Sequence, residues 1–344
     1  MQSKPSSYIH GFDWVRAFMS VAVVTWHMRT FGKSLLYTEN FARFKLNPLD
    51  LIVFHIVPVS VPAFLLISSY FIARNQADWP RLRHRLWRLA LLVVFWTVMM
   101  SLWKAGYGEL RKMIPESPLD LLVTIVSANG EYYYFFVALM LCLLMAFGAA
   151  RLSNLWNWLA LALTTAFVFI LPQVVMVNHQ TLLIAYWNPL NFLPYPFAAV
   201  LIFRYQDSLL ANWRAMLFSV LGLLAVSALF SWYEWTHYIQ AAFYPEGLAI
   251  PLLMRASLVY LGAAIIVLAL WPWRAAPAFI RFMSNYSLAL YILHGFFRPI
   301  IVQNTPQLGI PDSLMRLLQL IAIILLCYVT ALVLPLFIKD DMLR

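Results

Sequence analysis

Apolar runs of about twenty residues, the length that crosses a hydrocarbon core, recur along this chain between short stretches rich in Arg, Lys, Asp and Pro. Ten runs stand out, at 14–31, 51–73, 86–103, 131–149, 155–177, 188–204, 214–233, 249–270, 282–302 and 314–338. They predict an all-α integral membrane protein, with about ten transmembrane helices in a single bundle. Pro172, Pro189, Pro194 and Pro196 break the pattern from the fifth run to the seventh. Such backbone is tolerated at membrane depth only where protein or a wet cavity satisfies it. No internal repeat is visible, and no polar stretch is long enough for a soluble second domain. Residues 1–344 therefore read as one membrane domain.

Composition agrees with the pattern. The chain is 63% hydrophobic and 11% charged, against about 25% charged for an ordinary soluble domain. Its net charge of +10 reads as membrane topology and contact with anionic headgroups rather than nucleic-acid binding. With ten spans and both termini inside, thirteen Lys and Arg fall on inner loops and flanks against nine on outer ones. The positive-inside rule then places the termini in the cytoplasm. Acidic residues, Glu234 among them, gather on the outer side. Cys142 and Cys327 lie within apolar runs and are expected as small core residues, with no structural disulfide. No phosphate-binding Gly-rich loop, zinc spacing or nucleophile elbow appears, so no metal is expected.

Candidate chemistry starts in the first run. From Arg16 to His27 is eleven residues, three full turns plus about 20°, so both side chains share one helix face. They stand roughly 16 Å apart along the axis. Ionisable groups inside a membrane are costly and mark function by default. The ordinary readings are an arginine that snorkels to the surface and a histidine bonded within the bundle. Asp13 reads as an N-cap whose carboxylate, at i, i+3, can pair with Arg16. Further on, Arg81, Arg85 and Arg88 form a stripe at i, i+4, i+7. Such a stripe serves lipid anchoring or phosphate binding, since guanidinium forks suit phosphate oxygens. Glu131 opens an aromatic segment, Tyr132-Tyr133-Tyr134-Phe135-Phe136. In the ninth run Ser287, Tyr291 and His294 share a face.

The Arg-x10-His spacing with Asp13 three residues before Arg16 resembles the membrane acyltransferase-3 family, which moves acyl groups, usually acetyl from acetyl-CoA, onto hydroxyls of cell-envelope sugars. Val61-Pro62-Ala63-Phe64 leading to Ser68-Ser69-Tyr70 resembles that family's second-helix pattern, with Ser69 in place of its glycine. The basic element of Arg85 and Arg88 is similar to the family's Arg-x-x-Arg. Ser287, Tyr291 and His294 are similar to its C-terminal signature, whereas the aromatic segment after Glu131 matches only loosely.

The resemblance implies a ten-helix acyltransferase domain standing alone, an acyl-CoA-dependent O-acyltransferase of the bacterial inner membrane. Acetyl-CoA would be a co-substrate, with no tightly bound cofactor. The acceptor would be a hydroxyl of a sugar or polysaccharide, either lipid-linked or free of lipid. Catalytic roles fall on His27, as general base or acyl relay, with Arg16 and His294. CoA phosphates fall to Arg16, Arg85 and Arg88, and acceptor contacts to Glu131, Ser287 and Tyr291. The alternatives are a transporter of a lipid-linked sugar or other envelope metabolite, and a non-catalytic partner in an envelope assembly.

Overall fold

The computed structural model describes residues 8–30, 48–75, 77–105, 116–128, 132–177, 181–237, 251–304 and 311–334. Among these residues there is no strand, and twelve helices carry the fold. They are α1 (His10–His27), α2 (Ser60–Arg74), α3 (Trp79–Ala105), α4 (Pro118–Ser127), α5 (Tyr134–Ala149) and α6 (Asn154–Val177). The second half holds α7 (Pro194–Ala211), α8 (Trp213–Trp235), α9 (Ala256–Ala269), α10 (Ala278–Asn285), α11 (Ser287–Asn304) and α12 (Asp312–Val333). Among the described residues, five segments are long and apolar enough to cross a membrane: Ile52–Arg74, Trp79–Lys104, Asn154–Val175, Trp213–Trp235 and Asp312–Val333. This is an all-α membrane protein.

Several boundaries depart from the hydropathy pattern, each for a local reason. Proline ends the sixth run early at its N-terminal side. Asn188 caps a single 3-10 turn, Pro189–Phe192, and α7 starts only at Pro194, where a missing N–H costs nothing. The ninth run divides at Tyr286 into α10 and α11. The basic stretch before the third run is itself helical, so α3 begins at Trp79. Helix α4 is an element that the apolar runs do not announce. Its signal is the Ser117-Pro118 pair, a cap followed by proline at the first helical position, and Ser117 Oγ accepts from the Asp120 N–H at 3.1 Å.

Helix α2 lies at the centre, packed against α1, α5, α7 and α9. Helix α1 packs on α2, α9, α10 and α11. Its N-terminal turn comes so close to the end of α9 that a Cβ on Gly11 would stand 2.0 Å from the Ala269 carbonyl oxygen. Arginines close the orphan carbonyls at the end of α5. Arg151 donates to Phe147 O at 2.7 Å and Arg204 to Ala150 O at 2.9 Å, while Asn157 donates to Ala149 O at 2.9 Å. These two cations act on backbone.

At the opposite end of the bundle, Glu234 belongs to a buried network and not to a solvated acidic face. It pairs with Arg255 at 2.9 Å and accepts from the Ser257 N–H at 3.0 Å. Arg255 also donates to the Phe54 carbonyl and lies over the Phe54 ring, 3.7 Å from its centroid. The network joins α8, α9 and the segment before α2.

Candidate functional site

Two groups of polar side chains lie at opposite ends of α1. At the N-terminal end, Arg16 is half-buried, its guanidinium 5.6 Å from the Phe71 ring of α2. Arg85 of α3 lies within electrostatic reach of both Arg16 and Arg88. The helices therefore gather three guanidinium groups from two separate stretches of sequence. A cleft of about 490 Å³ opens beside them, lined by Ile72, Asn75, Asp78, Arg81, His84 and Arg85. That is within the range of small-molecule sites. Arg81 already pairs with Asp78 at 3.3 Å. Arg85 also lines the cleft and has no carboxylate in salt-bridge range among the described residues.

Asp13 does not act as predicted. The helix begins at His10 with Ile9 at the capping position, so Asp13 lies inside the first turn. Its carboxylate, 2% exposed, accepts from Tyr8 Oη at 2.8 Å and from Ser284 Oγ at 3.0 Å. No Asp13–Arg16 contact of salt-bridge length is present among the described residues. Asp13 instead ties α1 to α10 and acts on Arg16 as a neighbouring charge. Burial, together with the Asp13 carboxylate, holds the Tyr8 phenol above its ordinary range.

At the C-terminal end of α1, His27 meets His294 of α11. Their rings are nearly parallel, with centroids 5.0 Å apart. The Tyr132 ring completes the cluster, 4.2 Å from His27 and 5.1 Å from His294. His294 is fully buried, and its Nδ1 lies 3.2 Å from the Leu290 carbonyl. A carbonyl only accepts, so Nδ1 carries the hydrogen and Nε2 presents a lone pair. That Nε2 is buried with no hydrogen-bond partner among the described residues. His27 is half-buried, and neither of its ring nitrogens is bonded to a described residue. Each imidazole can accept a proton through an in-plane ring nitrogen from a group placed at the edge of the pair. Among the described residues, no three His, Cys, Asp or Glu side chains gather as a metal site.

The cluster is held from behind. Tyr291 donates to the Tyr132 backbone carbonyl, and Tyr133 donates to Ile292 O at 3.4 Å. Tyr291 thus uses its hydroxyl to fasten the segment before α5 onto α11. Ser287 is buried one turn earlier on the same helix. Glu131 lies outside the described residues. Tyr132 and Arg298 join the cluster, although neither is among the site residues that the sequence predicts. Arg298 is four residues beyond His294, hence on the same helix face, and its Nη1 is 3.5 Å from Tyr132 Oη. The i, i+4 spacing to His294 was the available signal.

No curated protein and no solved structure matches the chain. A family model described as an acyltransferase domain matches residues 9–338. That span holds both polar groups and every helix between them. The chain belongs to the acyltransferase-3 family and carries an acyltransferase domain over nearly its whole length.

Proposed function

We propose that this protein transfers acetyl from acetyl-CoA to a hydroxyl of a cell-envelope or exopolysaccharide sugar, in a bacterial inner membrane that it crosses ten times with both termini in the cytoplasm. The observation that carries the reading is the division of labour along α1. A cationic cleft stands at one end, and half-buried His27 beside buried His294 at the other, roughly 16 Å away. That separation is comparable to the pantetheine arm of CoA.

In this reading Arg16, Arg85 and Arg88 hold the CoA phosphates at the cytoplasmic mouth through charge-assisted hydrogen bonds. The thioester then reaches the imidazoles. The acceptor oxygen attacks the thioester carbonyl carbon while His27 takes the hydroxyl proton as general base. His294, with its lone pair at Nε2, shares that proton. The carbon–sulfur bond breaks, and the CoA thiolate takes the proton and leaves as the thiol. Ser287 and Glu131 belong to the acceptor side, with Tyr291 supporting them. An acyl-histidine relay follows the same geometry, with His27 attacking the thioester before the sugar does.

A transporter would also use many helices, a cationic mouth and broken segments. CoA separates the two readings. Excess CoA should raise the melting temperature of the purified protein, as any ligand specific for the folded state does. The rise should vanish in the double variant Arg85→Ala, Arg88→Ala. A chain that CoA does not stabilise, or stabilises equally without both arginines, is not working through this cleft. The product is checked by comparing alkali-labile acetyl groups on envelope glycans from cells with and without the gene.

A further inference from the structure

We propose that Tyr132 and Arg298 form the donor pair that receives the negative charge developing on the thioester carbonyl oxygen, an inference that rests on the acyl-transfer reading above. When the acceptor oxygen bonds to the carbonyl carbon, the π pair of the C=O moves onto oxygen, and the acceptor's proton goes to the imidazole pair. The tetrahedral oxyanion then collapses. The C=O re-forms, the carbon–sulfur bond breaks, and the thiolate leaves with the proton from the imidazolium. Preorganised hydrogen-bond donors aimed at that oxygen are generally the largest single contribution to such reactions.

Three observations place the donors here. The first is position. The Tyr132 ring touches both imidazoles, with centroids 4.2 and 5.1 Å away. A carbonyl close enough to be attacked beside His27 is therefore within reach of the phenol. The second is unspent hydrogen-bonding capacity. Arg298 donates from Nη1 to the phenol oxygen at 3.5 Å, which leaves the phenol's own O–H to donate elsewhere. The Arg298 Nε is buried with no partner among the described residues, as is Nε2 of His294. A buried donor and a buried acceptor left open in one cluster call for an explanation, and a ligand carrying both a carbonyl oxygen and a hydroxyl supplies it. No described carboxylate lies within salt-bridge distance of Arg298, although its charge reaches both histidines.

The third observation is rigidity. The backbone at Tyr132 is fastened to α11 by the Tyr291 hydroxyl, and its neighbour Tyr133 bonds to Ile292 O. The absence of a side chain at Gly295 lets the Tyr132 ring lie directly on α11. A Cβ there would stand 3.0 and 3.1 Å from two ring carbons. The donor is therefore in place before substrate arrives and costs no reorganisation during the reaction.

The test uses the full chain in lipid nanodiscs, acetyl-CoA, and glycans extracted from envelopes of cells lacking the gene. CoA thiol release and alkali-labile acetyl on the glycan are both followed. Tyr132→Phe, which keeps the ring and removes only the hydroxyl, and Arg298→Met should each lower kcat about 100-fold. The KM for acetyl-CoA and the melting temperature should not move. Because the two donors serve one oxygen, the double variant should lose little more than either single one. Arg298→Lys should recover part of the rate. Unchanged kcat in both single variants, or a loss confined to KM or to melting, overturns the donor pair. If the unaltered chain transfers no acetyl, the acyl-transfer reading falls first and takes this inference with it. If that chain transfers and the variants equal it, only the donor pair falls.

Discussion

Gly295→Ala adds one methyl group beside the imidazole cluster, and its effect can be worked from the packing. The new carbon would stand 2.8 Å from Met100 Cε and 3.0 and 3.1 Å from Cδ2 and Cε2 of Tyr132. Carbon atoms are comfortable at about 3.5–4.0 Å. The Met100 methyl ends a flexible chain and can swing away. The Tyr132 ring has less freedom, because its backbone carbonyl is bonded to Tyr291, so the ring must give by roughly 0.5 Å. Overpacking of this kind costs about 1–3 kcal/mol. Replacing glycine in a helix returns about 0.5–1 kcal/mol. The expected net destabilisation is therefore small, on the order of 1 kcal/mol. The kinetic effect is larger in proportion. A misplacement of about 1 Å can cost 100-fold, so a ring displaced by half that distance should lower kcat on the order of 10-fold. Thermal melting in detergent and acetyl transfer in nanodiscs read the two effects separately. A variant that melts lower but turns over normally would show that Gly295 serves packing alone and that the Tyr132 position does not matter to the chemistry.

Other substitutions probe the rest of the fold and site. Glu234→Ala leaves Arg255 buried without its carboxylate and should destabilise the protein by about 3–5 kcal/mol, seen as an early melting transition. Melting unchanged from the parent would mean that the network is not holding α8 to α9. Ser284→Ala removes one of the two hydroxyls bonded to Asp13 and should cost about 1–3 kcal/mol, with the KM for acetyl-CoA unaltered. A raised KM with no loss of stability would assign Asp13 to the donor cleft instead. Arg85→Ala should weaken CoA binding about 10-fold, the value of one hydrogen bond to a charged group, as measured by titration calorimetry. Asn157→Ala, whose side-chain amide donates only to the Ala149, Leu152 and Ser153 carbonyls at the end of α5 and to neither site, should leave CoA affinity where it was.

Much of this was legible in the sequence, because the strongest physical constraint on the chain is also the simplest. Long apolar runs announced a helical membrane protein; Arg16, His27 and His294 stood out because such groups are costly in that setting, and Arg85 and Arg88 because they share a helical stripe. The i, i+11 spacing put Arg16 and His27 at opposite ends of one helix face. Contacts that join distant segments were not legible. Nothing local pairs Asp13 with Ser284, brings Glu234 to Arg255, or stacks His27 on His294, since each needs two helices in register. Asp13 was misread because the i, i+3 rule sees only its own helix, and the tertiary partners Tyr8 and Ser284 took the carboxylate instead. Tyr132 was hidden among five consecutive aromatic residues, where membrane-interface anchoring is a sufficient reason for each. Arg298 continues the His294 face by one turn, but a cation near the end of an apolar run has membrane-surface contact as a sufficient reason.

The most direct measurement uses cells that lack the gene and express either the unaltered chain or His27→Ala at equal membrane levels. Acetate released from their envelope glycans by mild alkali is quantified against the dry mass of glycan. The unaltered chain should restore alkali-labile acetyl, and His27→Ala should lower the rate of its appearance by about 100-fold or more, the contribution of a positioned general base. Equal acetyl from the two strains would contradict the central claim that the imidazole at the end of α1 carries the transfer.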